Sequence, residues 1–226
     1  MESCNMSEHM ALENLTVLDL TRVLAGPFCT MMLADMGANV IKIEVPKGGD
    51  DTRTYPPFRA KNLNGERESV YFANINRNKK GITLNLKAPE GKEIFKELVK
   101  KADIVVENYR PGVMDKLGLG YDVLKEINPR IIYAAVSGFG CYGPYHLRPG
   151  YDILAQAMGG MMSITGSKGG EPTRAGSALG DILGGLHVTI GILAAVNART
   201  ITGKGQRVDV SLMDSMIAAT ENTALK

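Results

Sequence analysis

The sequence has few cysteines and histidines, and those it has are scattered along the chain. The three cysteines, Cys4, Cys29 and Cys141, form no Cys-x-x-Cys pair, which excludes a disulfide framework and a cysteine-based zinc site. The three histidines lie equally far apart, so no histidine cluster offers a metal site. We therefore expect free, buried thiols in a reducing compartment and no bound metal.

The chain also lacks an excess of charge of either sign. Its 26 lysines and arginines stand against 24 aspartates and glutamates, which argues against a nucleic-acid-binding protein. Residues 1–14 have neither the basic nor the apolar segment of a signal peptide. We assign them to an N-terminal extension and expect a cytoplasmic protein. Residues 178–196 are apolar enough to span a membrane, but they contain Asp181, and a charge in lipid is costly. We expect a buried core helix there and no membrane association.

Several common nucleotide-binding and catalytic motifs are missing too. The sequence has no G-x-x-x-x-G-K-[ST] phosphate-binding loop and no G-x-S-x-G nucleophile elbow. Residues 138–143 match G-x-G-x-x-G after a predicted strand, but Pro144 and Pro149 follow. The dinucleotide fingerprint needs a helix at that point to hold the pyrophosphate. We therefore interpret this stretch as a loop and not as an NAD site.

What the sequence does contain is an alternation of short apolar runs and helical patterns. The predicted strands are Thr16–Thr21, Asn39–Val45, Gly81–Leu86, Asp103–Glu107, Arg130–Val136 and Gln206–Val210. The predicted helices are Gly26–Met36, Pro89–Lys101, Tyr121–Ile127, Asp152–Met162, about Leu179–Ile201, and Leu212–Leu225. Residues 47–69 are typical of a loop. This alternation predicts an α/β fold with a mostly parallel sheet flanked by helices.

Basic side chains gather near the predicted strand ends and loops. They are Arg77, Lys79, Lys80, Lys87, Arg110, Lys116 and Arg148. Taken singly, each is typical of a solvated surface charge. Ligands of open α/β sheets bind outside the carboxyl ends of the strands, and residues 108–110 follow the predicted strand Asp103–Glu107. Several of these cations together suit a polyanionic ligand such as a nucleotide.

Asp181 is the most informative acidic residue, because it lies near the start of a strongly apolar predicted helix. Gly184 and Gly185 follow on the same helical face, where we expect them to leave space beside the carboxylate. The helix dipole should keep that carboxylate ionised. An ionised, partly desolvated carboxylate beside a vacant pocket suits a nucleophile. An aspartate that merely satisfies backbone donors is an equally good interpretation of the local sequence.

Several runs taken together resemble the family III CoA-transferases, which include formyl-CoA and carnitine CoA-transferases. The matching runs are Leu18–Pro27, Gly37–Glu44, Asn78–Lys80, Leu84–Lys87, Val106–Gly112, Ser137–Gly140, Gly150–Asp152 and Gly203–Gln206. The resemblance implies a Rossmann-like, CoA-binding large domain over residues 15–226. That domain is expected to be incomplete at its C-terminus, with the family's small domain missing or truncated. Because full-length members form interlocked dimers, we expect a homodimer.

By motif position, the resemblance places the family's catalytic aspartate on Asp181. It places the contacts to CoA on Arg22, Val23, Leu24, Ala25, Leu84, Asn85, Leu86, Lys87, Asn108, Tyr109, Arg110 and Lys116, and by a looser alignment on Arg148. The implied activity moves CoA from an acyl-CoA to a carboxylic acid acceptor through an aspartyl-CoA thioester. Acyl-CoA is then a substrate, and no tightly bound cofactor is implied.

Two alternatives stay open. The α-methylacyl-CoA racemases of the same family pair an aspartate with a histidine that stands just before an Asp. Here Tyr151 precedes Asp152, so half of that acid/base pair is missing, which favours the transferase. The chain could also be an inactive fragment or a subunit that only binds CoA.

Overall fold

The centre of the molecule is a six-stranded parallel sheet. The structure, a computed structural model, describes residues 9–61, 65, 67–221 and 223. The strands are β1 (Thr16–Asp19), β2 (Asn39–Glu44), β3 (Lys80–Thr83), β4 (Ile104–Glu107), β5 (Ile132–Ser137) and β6 (Arg207–Ser211). They lie in the order β3-β2-β1-β4-β5-β6, and each neighbouring pair is parallel. This is the Rossmann order, which reverses direction between β1 and β4. The predicted fold class is confirmed.

Helices cover both faces of the sheet. They are α1 (Ala25–Asp35), α2 (Val70–Ile75), α3 (Pro89–Val99), α4 (Val113–Leu117), α5 (Tyr121–Ile127), α6 (Asp152–Met158), α7 (Leu179–Thr202) and α8 (Leu212–Ala219). One core joins the sheet to α1, α6, α7 and α8, and the other joins it to α3, α4 and α5. Successive strand residues face opposite cores: Val17 belongs to the first and Leu18 to the second.

Most predicted elements are found, and the differences have local causes. The strand predicted at Gly81–Leu86 is instead Lys80–Thr83, because the chain leaves the sheet edge at Leu84. The helix predicted to reach Met162 ends at Met158, where Gly159 and Gly160 follow. The helix predicted over Leu212–Leu225 ends at Ala219, and residues 224–226 lie outside the described residues. The short helices α2 and α4 were not predicted.

Residues 138–143, which match the G-x-G-x-x-G pattern, lie in a loop after β5. No helix follows residues 138–143; the loop continues to Tyr151, and α6 starts at Asp152. A Cβ on Gly138 would lie 2.3 Å from the Gly150 Cα atom, so the two backbones touch where the loop begins and ends. The loop interpretation is confirmed.

Helix α7, with 24 residues, could cross a membrane by length and composition only. In the structure, one face of α7 packs against α1, α8, β5 and β6, and Val188 and Ile192 are fully buried in the core. The opposite face leaves Ile190 and Ile201 exposed. The prediction of a core helix is therefore confirmed for one face of α7.

Near the N-terminus, Leu12 is buried in the core beside α1, and its backbone N–H donates to the Met36 carbonyl at 3.0 Å. This residue lies within the predicted extension, of which residues 1–8 fall outside the described residues. The domain division at residue 14 stays a prediction.

Candidate functional site

A cavity of about 490 Å³ opens at the carboxyl ends of β2, β3 and β4. The predicted CoA contacts Leu84, Asn85, Leu86, Lys87 and Tyr109 all contribute to its wall. The remaining wall comes from residues 43–47 after β2 and from Val113 and Leu117 of α4. The volume is in the range of small-molecule sites, and the place agrees with the rule for open α/β sheets.

A smaller cavity of about 50 Å³ lies next to it and is lined in part by Thr21, Arg22 and Asp50. The two cavities share Ile43, Glu44, Val45 and Tyr109 as lining residues. The segment after β1 therefore meets the segments after β2, β3 and β4 at one edge of the sheet. Three of the predicted CoA-binding segments contribute to this combined cavity wall.

The turn after β1 is hydrogen-bonded to Asn108, which follows β4, across the point where the strand order reverses. The Asn108 side chain accepts a hydrogen bond from the Arg22 backbone N–H at 2.9 Å and donates one to the Arg22 carbonyl at 2.6 Å. The next residue, Val23, has a φ of 68°, a left-handed conformation that is strained for a β-branched side chain. Its N–H donates to Asp50 Oδ1 at 3.3 Å. The predicted contacts Asn108 and Arg22 thus form one structural unit.

A buried ion pair lies beneath this turn. Asp19, at the end of β1, is 0% exposed, and Lys79 Nζ lies 3.1 Å from its Oδ2 with a side chain that is 1% exposed. The hydroxyls of Thr21 and Thr30 also donate to the Asp19 carboxylate. Burial raises the pKa of Asp19, but the charge of Lys79, a second lysine and these hydroxyls outweigh it and hold the pKa below 3.8. The interpretation of Lys79 as a solvated surface charge was wrong.

The second lysine is Lys42 of β2, which is also buried. Its Nζ donates to the Thr21 carbonyl at 2.8 Å and to Asp50 Oδ2 at 2.9 Å. Asp50 in turn accepts from the Thr52 backbone N–H, which fixes the start of the loop after β2. Lys42 thus connects the turn after β1 to the loop after β2. Both segments line the smaller cavity, and both are held by buried charged side chains.

The predicted nucleophile Asp181 lies in the first turn of α7 and is partly buried. Burial and, to a smaller extent, the charge of Asp152 raise the pKa of its carboxyl, and Arg174 lowers it; the net result is a rise from 3.8 to about 7. The expectation that the helix dipole keeps Asp181 ionised was therefore wrong, because the carboxyl is only about half ionised at neutral pH. Desolvation and a neighbouring acid outweigh the dipole, and such a carboxyl exchanges its proton near neutral pH.

The space expected beside Asp181 at Gly184 and Gly185 is filled. A Cβ on Gly184 would lie 2.4 Å from Leu212 Cδ2, and one on Gly185 would lie 2.7 Å from the Ala25 carbonyl oxygen. These glycines allow α8 and α1 to approach α7 closely, so the expected vacant pocket at this point was wrong. The predicted contact Ala25 is the first residue of α1. Because β5 and β6 are parallel and α7 returns the chain to the start of β6, Asp181 in the first turn of α7 lies at the carboxyl edge of the sheet.

Three residues near Asp181 were not singled out from the sequence as site residues. Asp152 of α6 accepts a hydrogen bond from the Gly180 N–H at 2.8 Å through Oδ1, and Gln156 Nε2 donates to its Oδ2 at 2.8 Å. Arg174 Nε lies 3.6 Å from Asp152 Oδ2. Asp152 falls in a run that matched the family, but nothing in the local sequence around Gln156 or Arg174 indicates a site.

A tyrosine from α2 also faces this region. Burial raises the pKa of Tyr71 to about 12, and the negative charge of Asp181 contributes to that rise. The Tyr71 ring packs edge-on against Tyr55 with centroids 5.9 Å apart. Helix α2 was not predicted, so nothing in the sequence placed this hydroxyl near Asp181.

The remaining predicted contacts are more peripheral. Val23 and Leu24 form the partly buried turn into α1, and Arg110 and Lys116 are exposed near the cavity wall formed by α4. Arg148 lies on the exposed loop after β5, with its guanidinium 4.1 Å from the Tyr145 ring centroid. Arg148 does not line the cavity, and the structure does not bring it to the other predicted contacts.

Two of the three cysteines lie within the described residues. Cys29 is buried and Cys141 is partly buried, and burial raises the pKa of both thiols to about 12. Both are therefore protonated at neutral pH, as expected for structural cysteines; Cys4 lies outside the described residues. Within the part of the chain that the structure describes, no group of three or more acidic, histidine or cysteine side chains could hold a metal ion.

Comparisons with known proteins agree with this geometry. The acetyl-CoA:oxalate CoA-transferase of Acetobacter aceti is 50% identical over 91% of this chain and 52% of its own length. The succinyl-CoA:mesaconate CoA-transferase of Haloarcula marismortui is 48% identical over 94% of this chain and 54% of its own length. A crystal structure of a CAIB/BAIF family protein from Brucella suis superposes with a TM-score of 0.92 at 45% identity, covering 96% of this chain and 57% of that one.

The chain thus spans about half the length of the curated relatives it matches. The family model for CoA-transferase family III matches residues 12–226, nearly the whole chain. The protein belongs to CoA-transferase family III.

Proposed function

We propose that the protein moves CoA between carboxylic acids, with Asp181 as the covalent nucleophile. The observation that carries this proposal is a partly buried carboxyl with a raised pKa at the same edge of the sheet as the cavity lined by residues 84–87. Family membership and the CoA-transferases among the relatives support it. Because the chain spans about half the length of those relatives, the proposed activity is that of the whole protein.

The cavity and its rim suit CoA as a substrate. Apolar side chains such as Leu84 and Leu86 offer contact area for the adenosine or pantetheine groups, and the exposed cations Arg22, Lys87 and Lys116 offer charge for the phosphates. No tightly bound cofactor is needed, because CoA itself is the group transferred. Arg148 is the weakest of the proposed contacts, since it lies outside the cavity wall.

The proposed chemistry proceeds through two anhydrides and one thioester. The Asp181 carboxylate attacks the thioester carbon of the donor acyl-CoA, which forms a mixed anhydride and releases the CoA thiolate. The thiolate then attacks the Asp181 carbonyl carbon, giving the aspartyl-CoA thioester and the free donor acid. The acceptor carboxylate attacks that thioester, which forms a second mixed anhydride and again releases the CoA thiolate. The thiolate finally attacks the acceptor's carbonyl carbon, which gives the acceptor's acyl-CoA and releases the Asp181 carboxylate. The anhydrides are higher in energy than the thioesters, but each half-reaction exchanges one thioester for another, so the transfer of CoA is nearly isoenergetic overall.

The relatives narrow the class of acid. Oxalate, mesaconate and the succinyl group in their names all belong to dicarboxylic acids, so we propose a dicarboxylic acid as a substrate here. We also propose a homodimer, supported by exposed apolar side chains on α6 and α7, namely Ile153, Met158, Ile190 and Ile201. The cytoplasmic location stays a prediction.

The test is to trap the covalent intermediate on the chain. The protein is incubated with succinyl-CoA or acetyl-CoA, treated with hydroxylamine or borohydride, and mapped by mass spectrometry. We expect modification of Asp181 that disappears in Asp181→Ala. Asp122→Ala is the matched control, since Asp122 is an exposed aspartate in the first turn of α5.

Other outcomes separate the alternatives. Modification that persists in Asp181→Ala would contradict the assignment of the nucleophile. CoA binding without any adduct would favour the inactive, CoA-binding alternative. Exchange of the α-proton of 2-methylacyl-CoA with deuterium, without acyl transfer, would favour the racemase.

A further inference from the structure

Arg174 is an arginine whose hydrogen-bonding groups are largely unused. It lies in the extended segment that leads into α7, and its side chain is 46% exposed. Its one ion-pair partner among the described residues is Asp152, at 3.6 Å from Nε, and it makes no hydrogen bond to any described residue. A guanidinium presents five N–H donors in a planar fork that matches a carboxylate. The fork of Arg174 therefore remains available for a ligand.

A buried side chain of α6 forms hydrogen bonds to the segment that carries Arg174. Gln156 of α6 is 0% exposed, and its Oε1 accepts from the Ala175 N–H at 2.9 Å. Its Nε2 donates to Asp152 Oδ2 at 2.8 Å and to the Ser177 carbonyl at 3.2 Å. The backbone on the C-terminal side of Arg174 is thus fixed to α6, so the guanidinium is tethered to a fixed point and less ordering is needed on binding.

The charges around Asp181 indicate that this arginine attracts a carboxylate substrate. Three groups are involved: the Asp181 carboxyl, Asp152, which raises its pKa, and Arg174, which lowers it. A carboxylate substrate that approaches Asp181 is repelled by Asp152 and attracted by Arg174. Among the charges of the described residues that act on Asp181, Arg174 is the cation that can offset this repulsion.

We infer that Arg174 binds the second, non-reacting carboxylate of a dicarboxylic acid, an inference that rests on the CoA-transferase function proposed above. The reacting carboxylate must attack the acyl carbon of Asp181, and a bidentate ion pair would reduce its nucleophilicity. The second carboxylate takes no part in bond formation, so a guanidinium can hold it firmly through both half-reactions. Arg174 is then a specificity-determining residue that distinguishes dicarboxylic from monocarboxylic acids.

The test compares succinate with butyrate, in which a methyl group replaces the second carboxylate. Binding of each acid to the chain is measured by calorimetry in the presence of CoA, for the native protein, Arg174→Met and Arg174→Lys. We expect the native chain to bind succinate at least tenfold more tightly than butyrate. Arg174→Met should weaken succinate binding about 10- to 100-fold, as for a lost charge-assisted pair, and should change butyrate binding less than threefold. Arg174→Lys should retain part of the preference.

Arg130→Met is the matched control, because Arg130 is an exposed arginine at the opposite edge of the sheet, where it bonds the Gly203 carbonyl. It should leave both affinities unchanged. Equal weakening of both acids in Arg174→Met, an unchanged preference, or no succinate binding by the native chain would overturn the inference. Binding is measured without turnover, so this result is independent of adduct formation on Asp181. A failed adduct experiment with intact succinate preference would refute the transferase mechanism and not the role of Arg174.

Discussion

Replacing Asp181 by asparagine should stabilise the protein, and the gain should grow with pH. The pKa of the Asp181 carboxyl is about 7 in the folded protein against an ordinary value of 3.8. Between these values the unfolded chain has released the proton while the folded chain keeps it, so the native protein loses stability as pH rises from about 4 to about 7. Above that range the loss is complete and constant. Asparagine does not titrate, so the variant escapes this loss.

The magnitude follows from the same two pKa values. Each pKa unit corresponds to about 1.4 kcal/mol, which gives about 4 kcal/mol for a rise from 3.8 to about 7. Asp181 is not completely buried, and solvent screening reduces the effect, so we expect about 2–4 kcal/mol. The difference in unfolding free energy between Asp181→Asn and the native chain should therefore be about 2–4 kcal/mol larger at pH 8 than at pH 4.

Urea unfolding at pH 4, 6 and 8 measures this difference directly. Other groups with raised pKa values, such as Glu107, whose pKa burial raises to about 7, titrate in both proteins, and their contributions cancel. Asp122→Asn, at an exposed site, should show no such trend. A difference that is independent of pH, or a variant that is less stable at pH 8, would refute the assignment of Asp181 as a desolvated acid.

Two further substitutions test the buried Asp19–Lys79 pair and the hydrogen bonds between Asn108 and Arg22. Lys79→Met should destabilise the fold by about 3–5 kcal/mol, because it leaves the buried Asp19 charge without its ion-pair partner. Lys80→Met, at an exposed lysine, should cost under about 1 kcal/mol; a similarly small loss at both positions in urea unfolding would contradict the buried pair. Asn108→Ala should weaken CoA binding about tenfold in calorimetry, because it frees the Arg22 backbone; unchanged affinity would show that these hydrogen bonds do not shape the CoA site.

The fold was predictable because its signals are local and repeated. Strong apolar runs and helical patterns alternate along the chain, and the boundaries of α5 match the predicted helix Tyr121–Ile127. The prediction failed where such signals are weak. All four residues of β3 are exposed at the sheet edge, so apolar content could not mark its true end at Thr83. Helices α2 and α4 have six and five residues, too few to show a helical period.

The candidate site was predictable only in part. The segments 22–25, 84–87 and 108–110 follow strands, so their place at one edge of a parallel sheet follows from the fold. The burial of Lys79 does not, because its partner Asp19 lies sixty positions earlier in the sequence. Local sequence likewise predicted an ionised Asp181 from the helix dipole. The groups that reverse this prediction are Asp152, on another helix, and the packing that removes water from the carboxyl.

The arrangement of Asp152, Arg174 and Asp181 suits a reaction in which the nucleophile alternates between charged and neutral forms. A carboxyl with a pKa of about 7 is about half ionised at neutral pH, and its raised basicity favours attack on the thioester. Before that attack, Arg174 helps to keep Asp181 ionised. In the proposed aspartyl thioester the charge of Asp181 is gone, and Arg174 would still hold the second carboxylate of the bound acid. The proposed mechanism would thus use the same cation in both half-reactions, and the structure shows this guanidinium without a hydrogen bond to the described residues.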